Sequence, residues 1–266
     1  MKLSVIIPVF NEAHTLLTLL NRVWNHNISG IDIELIIVES NSTDGSREIV
    51  KTFAARIKEA NPAAALQLIL EDKPRGKGHA VRTGFNAVTG DIILIQDADL
   101  EYDINDYESL IQPILRGHAS FVLGSRHLSA GSWRIRQFSN DRINSVLFNF
   151  GGIFFHTLFN IVYGQWLTDP TTMFKVFKRS CITDIFFTAN RFDFDYELVG
   201  KLIRSGYLPF EVPVSYESRC FKDGKKIRIF SDPWTWLVAI LKYRFSRLKI
   251  DKALLPADGN KIGNKA

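Results

Sequence analysis

Asp97-Ala98-Asp99 sets two carboxylates one small residue apart, directly after the apolar run Asp91–Gln96. A strand that ends this way aims hard oxygen ligands at one point. Mg²⁺ or Mn²⁺ bound so takes its remaining ligands from water and from a substrate's phosphates. Residues suited to phosphate are also present. Lys77 lies between Gly76 and Gly78, and Arg126, Arg219, Lys225 and Lys226 follow. Arginine offers a bidentate fork and lysine a point charge. Gly76-Lys77-Gly78 would let a backbone approach a ligand closely, though read alone it is equally a flexible turn. Asp193, Asp195 and Glu197 precede a helical pattern through Leu198, Leu202 and Ile203. Asp195 and Glu197 are candidate general bases, and acids are also expected at a helix N-terminus on dipole grounds alone.

These residues need a frame, and the first 125 positions supply one. Leu3–Val9, Ile33–Val38, Leu66–Leu70, Asp91–Gln96 and Ser120–Leu123 read as strands, several buried on both faces. Helical patterns lie between them, near Glu12–Asn25, Ser42–Lys58, Lys77–Val88 and Asn105–Arg116. This alternation implies an α/β fold, a mostly parallel central sheet with helices on both faces. Such sheets bind ligands beyond the carboxyl ends of their strands. That rule selects Phe10–Glu12, Glu39–Gly45 and Asp97–Glu101. Pro8 through Glu12 ends the first strand in a turn where backbone groups bracket a ligand or where Asn11 caps the next helix.

The second half is patterned differently. Residues 141–164 are apolar except for a stripe of Asn149, Gly152, His156 and Asn160. This is an amphipathic helix with a very wide apolar face, either buried under the sheet or lying in a membrane interface. It is too interrupted for a transmembrane span. A second helix, over 233–249, opens with Asp232-Pro233 and repeats Trp234, Leu237, Leu241, Phe245 and Leu248 beside Lys242, Arg244, Arg247 and Lys249. From about Ala253 the polar tail reads as disordered. The expected organisation is a catalytic domain over 1–230, a basic amphipathic helix over 231–252 and a tail over 253–266.

Composition narrows the partners. The 266 residues carry a net charge of +5, but 219–252 alone hold ten Lys or Arg against three Asp or Glu, leaving the remainder acidic. A basic C-terminal region beside an acidic body points to an anionic partner: phosphates, a membrane surface or nucleic acid. No nucleic-acid recognition motif accompanies it, so nucleic acid is not expected. Cys181 and Cys220 match no metal-ligand spacing and read as reduced thiols of a cytosolic protein. The apolar run Leu3–Phe10 is too short for a signal peptide and reads as a buried strand.

Taken in order, the motifs resemble one family. Val5-Ile6-Ile7-Pro8-Val9-Phe10-Asn11-Glu12 and Val38-Glu39-Ser40-Asn41-Ser42-Thr43-Asp44-Gly45-Ser46 come first. Gly76-Lys77-Gly78-His79-Ala80 and Gly90-Asp91 lead to Asp97-Ala98-Asp99. Gly124-Ser125-Arg126, Thr168-Asp169-Pro170-Thr171, Pro213-Val214-Ser215-Tyr216 and Arg219 with Gly224-Lys225-Lys226-Ile227 complete the series. Over about residues 3–230 the chain resembles the family 2 inverting glycosyltransferases, and within them the dolichyl- or polyprenyl-phosphate sugar transferases.

The resemblance implies a GT-A-like nucleotide-sugar-binding fold and a nucleoside diphosphate sugar donor. It implies a divalent ion, Mg²⁺ or Mn²⁺, on Asp97 and Asp99 with Glu101 assisting. Pro8, Phe10, Asn11, Glu12, Glu39, Asp44, Lys77, Ala98, Arg126 and Asp169 are the expected substrate contacts. Where the family's second strand ends in two aspartates, this chain has Glu39 and Ser40, which leaves the nucleobase open. A polyprenyl phosphate acceptor would be held by Arg219, Lys225 and Lys226 and needs no base, whereas a sugar hydroxyl needs one, with Asp195 or Glu197 as candidates. The expected location is cytoplasmic, peripheral on the membrane's inner face. A second copy of the chain or a membrane protein stays open as partner. The alternatives are a family 2 enzyme acting on a saccharide or lipid-linked glycan hydroxyl, and a nucleotidyltransferase, which would release pyrophosphate.

Overall fold

The computed structural model describes residues 1–130, 142–218 and 232–248. The chain runs β1 (Lys2–Val9), α1 (Ala13–Asn25), β2 (Asp32–Glu39), α2 (Ser46–Ala60), β3 (Leu66–Leu70), α3 (Lys77–Phe85) and β4 (Ile92–Ile95). It continues with α4 (Tyr107–Leu115), β5 (Phe121–Ser125), α5 (Arg126–Ala130), α6 (Arg142–Tyr163), β6 (Lys175–Lys178), α7 (Phe194–Arg204), β7 (Phe210–Pro213) and α8 (Asp232–Phe245). The seven strands form one sheet in the order β3-β2-β1-β4-β6-β5-β7. All neighbours are parallel except β6, which runs antiparallel to both β4 and β5. The five expected strands and the parallel architecture are present. β6 and β7 are additions that their short, polar-flanked sequences did not announce.

Consecutive rather than alternate residues of β1 and β2 are buried: Ile6 and Ile7, like Ile36, Ile37 and Val38, are 0% exposed. Helices therefore cover both faces, as the unbroken apolar runs require. The register sets Val9 opposite Glu39 and Ile6 opposite Ile95. The carboxyl ends of β2 and β4 thus flank that of β1, where the strand order reverses.

The opposite end of the sheet carries a buried polar knot. Glu34 of β2 accepts hydrogen bonds from Ser4 of β1 and from Thr89 and Gly90, and pairs with Lys2 at 2.6 Å. Gly90-Asp91 belongs to this knot: Asp91 Oδ2 accepts from the Lys2 N–H at 3.0 Å. Burial pushes the Glu34 carboxyl up, but the bonds from Lys2, Ser4 and Thr89 outweigh it and bring it down to about 2. A depressed folded value contributes stability above an unfolded glutamate's pKa of about 4.3, lost as pH falls toward 2. Glu34→Gln is therefore expected to cost about 1–3 kcal/mol at pH 7. The deficit should shrink in urea melts taken between pH 4 and about 2.

The helix expected over 141–164 forms α6, which buries part of the polar stripe together with Phe155, Phe159 and Tyr163 and leaves part of its apolar surface exposed. Asn149 and His156, members of the polar stripe, are buried, whereas Phe150, Phe154 and Ile161 are 58%, 60% and 74% exposed. The stripe has partners underneath: His156 Nε2 lies 2.9 Å from Thr171 Oγ1, and Asn160 bonds both backbone groups of Leu167. α8 packs against α6 through Phe155 and Trp236 and through the Tyr163 hydroxyl on the Ile240 carbonyl. Its other side leaves Trp234, Val238, Leu241 and Phe245 exposed. No helix among the described residues is long and apolar enough to cross a membrane.

Candidate active site

The loops after β1 and β2 are laced together. Asn11 donates its N–H to Ser42 Oγ and accepts from the Thr43 N–H, both at 2.9 Å, and the Glu12 N–H reaches Ser46 Oγ at 2.9 Å. Asp44 accepts from Ala13 at 2.9 Å and from Ser46 at 3.0 Å, so the start of α1 is capped from the neighbouring loop and not by Asn11. Burial raises the Asp44 carboxyl, and these bonds reverse it to a net lowering. Pro8 is buried in β1, and Phe10 is partly exposed at its end. Among the described residues the non-glycine positions with positive φ are Asn11 (52°), Asn41 (56°) and Leu100 (59°). All three follow the carboxyl ends of β1, β2 and β4. Backbone strain of this kind collects where side chains must be aimed.

Glu39 ends β2 with no exposure. Its Oε1 accepts from the Ser42 N–H at 2.6 Å, and its Oε2 lies 3.2 Å from Arg47 Nη1 without a hydrogen bond of acceptable geometry. Arg47 also holds Asn41 Oδ1 and the Glu71 carbonyl. Ser40, standing where the second acid was expected, donates to Glu71 Oε2 at 2.6 Å, and Glu71 Oε1 lies 2.6 Å from His79 Nδ1. An acid from the loop after β3 thus lies beside this position. Arg47, Glu71 and His79 were not foreseen. The only hint was an acid placed immediately after an apolar strand.

The loop after β4 is pinned by the Thr15 hydroxyl on the Ala98 carbonyl at 2.7 Å and by Gln96 Nε2 on the Asp97 carbonyl at 2.9 Å. Asp97 Oδ2 pairs with Lys77 Nζ at 2.8 Å. Burial lowers the Lys77 ammonium, but Asp97, Asp195 and Asp99 together raise it, so it is charged at neutral pH. Asp99 Oδ1 accepts the Glu101 N–H at 3.2 Å. Glu101 Oε2 accepts from the Tyr216 hydroxyl at 2.9 Å, and its carbonyl accepts the Glu217 N–H at 2.8 Å. The segment leading to Arg219 is therefore tied to this loop. Arg219, Lys225, Lys226 and the tail over 253–266 lie outside the described residues.

Packing accounts for Gly76 and Gly78: a Cβ at Gly76 would strike the Asn190 carbonyl, and one at Gly78 the Cβ of Phe194 and the Ala189 carbonyl. Three expectations are corrected by geometry. Glu197 is no free base. It is 0% exposed and accepts from the N–H groups of Thr188 and Ala189 and from Lys201 Nζ at 2.6 Å. Arg126 spends its fork on Asp169, with Nε–Oδ2 at 2.6 Å and Nη2–Oδ1 at 2.7 Å, so Arg126 is not free for phosphate nor Asp169 for substrate. Asp195 reaches the site but is bonded through Oδ1 to Lys175 Nζ at 2.8 Å. Lys175 itself was missed. It is fully buried on β6, and burial pulls its ammonium down against the opposing pull of Asp195.

Asp97 and Asp99 offer the hard oxygen donors that Mg²⁺ or Mn²⁺ prefers, and Asp97 is 23% exposed. Among the described residues no three acidic, His or Cys side chains already converge at metal-holding distances. Glu101 holds the Tyr216 hydroxyl through Oε2. The donor chemistry fits a cation that draws its other ligands from water and a diphosphate.

A mostly parallel sheet with paired carboxylates at its switch point and a lysine beside them defines a nucleotide-sugar-binding fold of the GT-A type. The glycosyl transferase family 2 model matches residues 4–186, and the chain belongs to that family. It is 25% identical over 229 residues to a dolichol-phosphate mannosyltransferase of Pyrococcus furiosus, covering 85% of this chain and 61% of the relative. It is 28% identical over 244 residues to a dolichyl-phosphate beta-glucosyltransferase of Saccharomyces cerevisiae, covering 86% and 70%. The chain thus spans about three-fifths of the Pyrococcus protein's length. In structure it resembles glucosyl-3-phosphoglycerate synthase of Mycobacterium tuberculosis, solved with Mn²⁺, UDP and phosphoglyceric acid. The TM-score is 0.66 at 16% identity, over 92% of this chain and 78% of that one.

Proposed function

We propose that the chain transfers a hexose, with inversion, from a nucleoside diphosphate sugar to a polyprenyl phosphate, with Mg²⁺ or Mn²⁺ held by Asp97 and Asp99. The observation that carries the donor half is the placement of Asp97, Asp99 and Lys77 beside Glu39 at the switch point of the sheet. When bound, the cation offsets charge developing on the departing diphosphate. Lys77 adds a second positive group at the same place. Glu39, braced by Arg47 and Ser42, accepts from the nucleoside, and the hydrogen bonds of Asn11 and Asp44 tie the neighbouring loops together beside it.

The acceptor half rests on α6 and α8. Two helices that pack on the body of the protein yet leave Phe150, Phe154, Trp234 and Phe245 more than half exposed suit a lipid interface better than water. A lipid phosphate is already an anion and needs no base, which agrees with Asp195 being committed to Lys175 and Glu197 to its backbone partners. Arg219, Lys225 and Lys226 follow directly on the segment that Glu217 ties to the metal loop, and are the candidate holders of that phosphate. The protein would then work as a peripheral enzyme on the cytoplasmic face of the membrane.

Nucleoside diphosphate release is expected to rise when polyprenyl phosphate is added to a nucleotide sugar and Mn²⁺. The chain should co-sediment with anionic vesicles at low salt. High salt, or Trp234→Ala with Lys242→Glu, should weaken sedimentation, since each cation near an anionic surface contributes about 1 kcal/mol. A protein that stays in the supernatant and prefers a soluble sugar acceptor would instead act on a saccharide hydroxyl.

A further inference from the structure

Lys77 is held more tightly than a phosphate-seeking side chain needs to be. Its backbone is fixed where Gly76 and Gly78 pack without clearance on 189–194. Its ammonium is 2.8 Å from Asp97 Oδ2 and 2.6 Å from the Met173 sulfur, and 5.9 Å from the Phe192 ring centre. The group is only 18% exposed. A carboxylate, a thioether and an aromatic face thus form a seat for one positive charge, and the carboxylate is one that a divalent cation would use.

Lys77 holds Oδ2 of Asp97, and a divalent ion on either oxygen of that carboxylate would lie within a few ångströms of the ammonium, so the two positive charges repel. Lys77 has somewhere else to go. Asp195 also attracts its ammonium, and Lys175 holds only Oδ1 of that carboxylate, fixing its position. The diphosphate of a donor is a second destination. Resting on the metal-dependent reading above, we infer that Lys77 and the divalent cation compete for Asp97, with Lys77 a tethered counter-ion that must leave before the metal is fully bound. Any ligand that draws Lys77 away strengthens the metal site, so the donor's diphosphate and the metal bind with positive coupling beyond their direct contact.

Mn²⁺ alone, without nucleotide, is the probe. Its binding is read from loss of the free-ion electron paramagnetic resonance signal in parent, Lys77→Met, Lys77→Gln and Lys77→Arg proteins, each checked by circular dichroism. Lys77→Met and Lys77→Gln are expected to bind Mn²⁺ at least tenfold more tightly than the parent. Lys77→Arg, which keeps a cation at the seat, should stay within about threefold of it. The rise in Tm on adding Mn²⁺ should be larger in Lys77→Met than in the parent. Equal or weaker Mn²⁺ binding in both neutral variants overturns the competition and leaves the metal reading standing. If neither parent nor variants bind Mn²⁺, both fall together.

Discussion

Asp97→Asn and Asp99→Asn are each expected to lower sugar transfer by about 10³-fold while leaving the fold intact. The amides keep the shape of the loop, and the anchors from Thr15 and Gln96 go to backbone carbonyls that the substitutions do not touch. What is lost is negative charge at the end of β4, and neutral oxygens cannot offset a divalent ion. The two variants should differ in one respect. Asp97→Asn also releases Lys77 from its 2.8 Å partner, whereas Asp99→Asn leaves that pair in place. Nucleoside diphosphate release at saturating Mn²⁺, with melting curves as the check on folding, measures the effect. Full activity of both variants in excess chelator would end the metal-dependent mechanism.

The second large effect is on stability. Arg126 and Asp169 form a bidentate pair in which Asp169 is 0% and Arg126 6% exposed. Burial alone would raise the Asp169 carboxyl, but the Arg126 charge and its hydrogen bonds hold it well below the usual carboxylate range. Arg126→Met strands a buried anion, and breaking such a pair from one side costs about 3–5 kcal/mol. The pH dependence has a fixed sign. Because the folded value is depressed, the pair's contribution is complete above an unfolded aspartate's pKa of about 3.9 and declines as pH falls below it. The gap between parent and Arg126→Met in urea melts should therefore be widest near pH 7 and narrow below pH 4. A double change, Arg126→Met with Asp169→Leu, should recover most of the loss by removing both charges. A gap that did not change with pH would mean that Arg126 acts through packing alone, including its contact with the Tyr216 ring.

Much of the site could be read from sequence because it depends on strand ends. Asp97, Glu39 and Asn11 each close an apolar run, and a parallel sheet brings such ends together whatever its side chains do later. The partners could not be read in this way. Arg126 looked like a phosphate ligand because its fork is visible in the sequence, but Asp169, which fills the fork, comes from a loop far along the chain. Glu197 looked like a base for the same reason: its partners Thr188 and Ala189 are backbone donors, which sequence does not display. Lys175 was missed because a lysine in Lys-Val-Phe-Lys resembles a surface charge until its strand is known to lie mid-sheet. The inward-facing polar stripe of α6 has the same origin. Periodicity marks Asn149, His156 and Asn160 as one stripe, but only Thr171 and Leu167 determine that it faces inward.

The position of β6 has a consequence for how the protein is made. The four strands β3-β2-β1-β4 are complete once Ile95 has left the ribosome, yet β5 cannot join them, because Lys175–Lys178 must first lie between. Until Lys175–Lys178 is made, the Ile92–Ile95 edge has no partner strand from the order of the finished sheet. An unpaired apolar edge invites pairing with other chains. The late strand thus serves as a closing seam, and defects in 175–178 would show first as lost yield and aggregation during expression, before any change in the activity of the molecules that do close.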